Sequence, residues 1–180
     1  MALCSHSIGR CTSLSTCRKL RGVGSFRNVC VGNQWASLEF AALWVFEAVA
    51  GRDGNIDAKE EAVLVRALHE AHASPNALVR EAWRAVNDDY ANTQERYHRD
   101  PRDLTQGLHD VEAALRDLVA KKKLSPEVAL DFRRALLQLG VDVARASGGF
   151  LGLGFGDKMS GVERGALEKI SVIFELPFDA

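Results

Sequence analysis

The turn Asp53-Gly54-Asn55-Ile56-Asp57, followed by Glu60 and Glu61, gathers four carboxylates within nine residues. Oxygen donors at that density suit a hard divalent cation, calcium first among them. A second turn, Asp157 to Glu163, is poorer in acid and adds Ser160 between its two carboxylates. The first turn is therefore the candidate cation site, through Asp53, Asp57, Glu60 and Glu61, and the second, with Asp157 and Glu163, is the weaker one.

The first turn imitates the later part of an EF-hand loop. Asp53 would stand at position 5, Gly54 at the turn glycine, Ile56 at the apolar position and Glu60 at the closing glutamate. The opening ligand positions then fall on Val49 and Gly51, which have no side-chain oxygen. Starting at Asp53 instead puts Ala58 at the glycine and Leu64 at the closing glutamate. Neither register completes the loop.

The same acids have a structural use. Asp57-Ala58-Lys59-Glu60 and Ser160-Gly161-Val162-Glu163 both read as capping boxes. In such a box the cap oxygen accepts from the third residue's amide, and the glutamate reaches back to the cap amide. Capping alone explains Asp57 and Glu60, so it outweighs metal binding as the reason for them.

Other constellations carry less. His69 and His72 share a helix face, but no third ligand accompanies them. Glu95-x-x-His98 is half of a di-iron signature, and no second copy exists. The stretch from Ser147 to Asp157 is glycine-rich, yet it lacks the Gly-Lys-Ser/Thr of a phosphate loop and follows a helix. Its Phe150, Leu151, Leu153 and Phe155 either tuck into the body or form a contact patch. No serine sits in a nucleophile elbow, and residues 31–180 hold no cysteine. No enzyme is expected.

The elements that position these turns are helices. Apolar stripes at helical spacing mark about Ala36–Ala50, then a helix from Asp57 carrying Val63, Leu64, Ala67 and Leu68. Leu78, Val79, Ala82, Trp83 and Val86 mark a third, while Asn87–Arg99 is polar and reads either as a further helix or as irregular chain. Leu104–Val119 is a clean stripe ending at Lys121, Lys122 and Lys123, where cations suit the helix dipole. Ser125-Pro126 opens a long helix to about Ser147, and Ser160 opens the last, with Val162, Leu167, Ile170 and Phe174 inward. No stretch alternates with period two, so no sheet is expected.

Charge and composition bound the partners. The chain has 180 residues, 47% hydrophobic, with a net charge of −1. Residues 1–38 carry five basic side chains and no acid, leaving 18 basic and 24 acidic beyond them, a net of −6. A mildly acidic body argues against nucleic acid, and no apolar run is long enough for a membrane span. Residues 1–34 read as a basic tail that is disordered, transit-like or extraneous. Residues 35–180 read as one all-α domain. All four cysteines lie in the tail, without structural-zinc spacing.

The chain resembles the TerB-like family, the tellurite-resistance TerB proteins and their relatives. The likeness lies in AVAGRDGNIDAKEEAVLV and in VARASGGFLGLGFGDKMSGVERGALEKI, and spans roughly residues 36–176. Arg52 departs from the family's usual Ala-Asp-Gly at that turn. The resemblance implies a helical domain of about seven helices with an internal pseudo-twofold repeat. It also implies a cytoplasmic stress-response role and cation binding at Asp53, Asp57 and Glu60, and more weakly at Asp157 and Glu163. The alternative is a metal-free protein-interaction module that uses the glycine-rich loop and an apolar groove with a protein partner.

Overall fold

One helix is so apolar that the others must enclose it. The computed structural model describes residues 25–51, 56–147 and 159–178. Among them every regular element is helical, and no strand occurs. The helices are α1 (Phe26–Val29), α2 (Gln34–Ala50), α3 (Ala58–Glu70) and α4 (Ala77–Asp88). They continue with α5 (Tyr90–His98), α6 (Leu104–Ala120), α7 (Pro126–Ser147) and α8 (Gly161–Ile173). The expected all-α architecture is thus present, with eight helices described.

The sequence stripe on α2 understates it. Only Gln34, Ala36, Glu47 and Ala48 of this helix escape full burial. A helix apolar on every side has no face to give to water. Accordingly α3, α4, α5, α6, α7 and α8 all pack on it. Trp44 and Leu38 of α2 join Leu115 of α6, Phe132 and Leu136 of α7, and Leu167 and Ile170 of α8, all less than 2% exposed. At roughly 1.5–3 kcal/mol for each fully buried large apolar side chain, this core is the main stabilising element.

Local signals set the helix ends. Asn76 caps α4 by accepting from Leu78 N and Val79 N, and its amide donates to the Val128 carbonyl of α7 at 2.8 Å. Asp103 accepts from Gln106 N at the start of α6, and Ser125 Oγ accepts from Val128 N at the start of α7. At the end of α6, Lys122 takes a left-handed φ of 56°, and Lys123 N and Leu124 N both donate to the Leu118 carbonyl. Lys121 pairs with Asp117 there, consistent with a cation near a helix C-terminus.

Three details refine the sequence reading. Ahead of the expected domain start at residue 35, α1 is formed and Phe26 is only 4% exposed. The ambiguous Asn87–Arg99 stretch supplies α5, held through Arg96 and Tyr97 despite its polar sequence. Val162, expected inward, is 56% exposed, because Glu163 occupies the buried side of the first turn of α8.

The pairs α2–α3 and α7–α8 lie together: α7 packs on both α2 and α3, and α8 packs on α2 and α7. The second helix of each pair opens with a capping box.

Candidate functional site

Both boxes form as their spacing demands. Asp57 Oδ1 accepts from Lys59 N at 2.5 Å and from Glu60 N at 3.1 Å, and Glu60 Oε2 accepts from Asp57 N at 2.9 Å. At the other corner, Ser160 Oγ accepts from Glu163 N at 3.2 Å, and Glu163 Oε2 accepts from Ser160 N at 2.6 Å. Asp57 is exposed, whereas Glu60 is 4% and Glu163 8% exposed. The two glutamates therefore sit at equivalent places, buried at the first turn of a helix.

Asp53 and Asp157 lie outside the described residues. Among the described residues no group of three His, Cys, Asp or Glu side chains converges as a metal site. Asp57 and Glu60 are brought together as a cap. A helix N-terminus carries roughly half a positive charge. That field opposes a cation at this corner.

Of the remaining sequence candidates, His72 and Glu95 have local partners. The His69 and His72 rings lie 6.0 Å apart edge to face, and His72 Nδ1 donates to the His69 carbonyl oxygen. That bond occupies one of the four ring nitrogens, and both side chains are exposed. Glu95 forms an ion pair with Arg99 one turn on. The glycine-rich segment with Phe150 and Phe155 lies outside the described residues.

The geometry also shows features that the motif reading missed. Arg102 is nearly enclosed between α2 and α6. It donates to both Asp100 carboxylate oxygens, to Asp110 and to Ser37 Oγ, and its guanidinium carbon lies 4.7 Å from the Trp44 ring centroid. Hydrogen bonds from Arg102 hold the Asp100 carboxyl below its usual range. Arg96 forks onto both oxygens of buried Glu39 and stands 5.4 Å from the Phe40 centroid. Tyr97 donates to Glu47, and burial together with that bond pushes its phenol well above the ordinary value. These contacts fasten α5 and the loop after it onto α2. Acids inside an otherwise apolar helix, here Glu39 and Glu47, were the available signal for such partners.

A third network borders an open groove. Glu112 of α6 is buried between Arg133 of α7, which forks onto it, and Arg116, which also reaches Glu175. Beside it, α6 and α8 diverge over Ala48 of α2 and leave a groove of about 1120 Å³. Its lining is mainly apolar, with Leu104, Leu108, Ala113, Ala166, Ile170 and Ile173. Its rim carries both signs, through Arg116 and Lys169 against Glu168 and Glu175. Val172, at 76% exposure, is the most exposed large apolar side chain among the described residues. Such a shape takes apolar surface with polar edges. Among the described residues no helix is long and apolar enough to cross a membrane.

No protein-family model, curated protein or solved structure matches this chain.

Proposed function

We propose that this chain is a non-enzymatic, TerB-like cytoplasmic domain that serves a stress response and holds a divalent cation at the α2–α3 corner. The reading rests on the resemblance given above and on one observation, the Asp57–Glu60 box. That box fixes two carboxylates at the start of α3, and its cap bonds engage one oxygen of each, Oδ1 of Asp57 and Oε2 of Glu60. With Asp53 and Glu61, an oxygen-rich corner suited to calcium results. The matching box at Ser160–Glu163 supports a pseudo-twofold repeat, with Asp157 and Glu163 as the weaker corner.

The test is thermal unfolding of the intact chain with calcium, magnesium, zinc or chelator, beside Asp53→Ala, which leaves the box intact. A ligand bound only by the folded state raises the melting temperature by mass action. Calcium should raise it in the native chain and less in the variant. If no ion moves the transition, the cation reading is overturned.

A second reading is favoured by the α6–α8 groove. Here the domain is a metal-free interaction module, and the groove receives an amphipathic helix of a protein partner. Its apolar floor would take the helix's apolar stripe, and its two-signed rim the flanking charges. An environment-sensitive apolar dye should brighten on the native protein and lose that signal in Ala113→Arg. Equal brightening in both would count against this reading.

A further inference from the structure

We infer that residues 25–33 form a strap that opens as a unit while the α2–α8 body stays folded, with Glu81 as its latch and Phe26 as its plug. A four-residue helix does not form alone, because nucleation costs more than one turn returns. What holds α1 is therefore outside it. One carboxylate of α4 does most of this. Glu81 accepts from Ser25 Oγ, from Phe26 N at 2.8 Å and from Arg27 N at 3.1 Å. Ser25 makes no side-chain cap of its own, so Glu81 caps α1 from another helix.

The remaining attachment is narrow. Phe26 is buried in the core, but Arg27, Asn28, Val31, Gly32 and Asn33 are exposed, and only Val29 and Cys30 are half-buried. The far end is a natural pivot. Gly32 has φ +55°, and a Cβ there would meet nothing within 4 Å. Beyond it, α2 is fastened independently of the strap, through Gln34 Nε2 to Asp117 at 2.7 Å and through its core packing on α6 and α7. Apart from Glu81, its side-chain acceptor is Gln34 Oε1, which takes Val31 N at 2.9 Å next to the glycine and so ties only the hinge end. A segment with one aromatic anchor, one acceptor at its far end and a glycine pivot belongs to the low-stability end of a fold. Opening brings the Phe26 ring and Cys30 into water. Burial and the nearby Glu81 push the Cys30 thiol up to about 11. Release removes both causes, so Cys30 alkylation reports the open state.

The experiment uses the full chain and two peptide-resolved readouts, hydrogen exchange and alkylation of Cys30. In the native protein, the amides of residues 26–31 should exchange at least about tenfold faster than those of α2. Glu81→Gln and Phe26→Ala should each raise that exchange and the Cys30 alkylation rate at least about tenfold, with α2 and α7 unchanged. Equal protection of residues 26–31 and α2 in the native protein would overturn the inference, whether or not either variant folds. So would a variant that loosens α2, α4 and the strap together.

Discussion

Gly107 of α6 lies flat against Trp44 of α2: a Cβ at this glycine would stand 2.3 Å from Trp44 Cε2 and 2.5 Å from Cδ2. The ring cannot give way, because Arg102 stands over it and Phe40 and Tyr97 lie against it. Alanine is the better helix former by up to about 1 kcal/mol. The clash should still win. Gly107→Ala is expected to destabilise by about 1–3 kcal/mol, as overpacking does. A lower urea midpoint with an unchanged slope would show it.

Gly165 gives the opposite expectation. It is also inside a helix, but an added Cβ meets nothing within 4 Å. Gly165→Ala should stabilise by about 0.5–1 kcal/mol through backbone entropy alone. The pair of variants, measured in the same urea titration, separates steric need for glycine from mere tolerance of it. A loss of stability in Gly165→Ala would contradict the open space beside this face of α8.

Glu112 joins α6 to α7. Its side chain is 7% exposed, and that of Arg133 is 14% exposed. Removing one member of such a pair leaves the other charge buried, at a cost of about 3–5 kcal/mol. Glu112→Leu alone should show a loss of that order in chemical unfolding. Adding Arg133→Met should recover most of it, because apolar replacement of a whole buried pair is often near neutral.

Acid and alkali should strain different contacts. Asp100 is held below its usual value, so its contribution is complete above pH 3.8 and fades as pH falls below that through its lowered folded value. Arg102→Met should flatten the fall in stability between about pH 2 and pH 5. Tyr97 is raised, so its contribution is complete below pH 10 and fades as pH rises beyond. Tyr97→Phe should lessen the alkaline loss, seen as a smaller drop in urea midpoint above about pH 10.

Periodicity and capping chemistry made much of the fold legible. Asp57, Ser125 and Ser160 stand at helix starts because short-range hydrogen bonding decides those positions. The enclosure of α2 was harder to see. A stripe through Phe40, Leu43 and Phe46 looks the same whether the opposite face meets water or another helix. The α5 helix was ambiguous because its hold is tertiary, through Glu39 and Glu47, 57 and 50 residues upstream of their partners. Similarly, Phe26 gives no local sign that a carboxylate at residue 81 will receive its amide. At the acidic corners the sequence supplied the box geometry, while the groove between α6 and α8 arises only from how those helices diverge.

The position of α2 along the chain has a consequence for biosynthesis. Among the described residues, the helices that pack most on it, α3 to α8, all lie downstream. A nascent chain therefore presents Trp35, Phe40, Trp44 and Phe46 to the ribosome's surroundings before their shelter exists. Until α8 has been translated, the most adhesive helix of the molecule is a target for holding chaperones and for self-association.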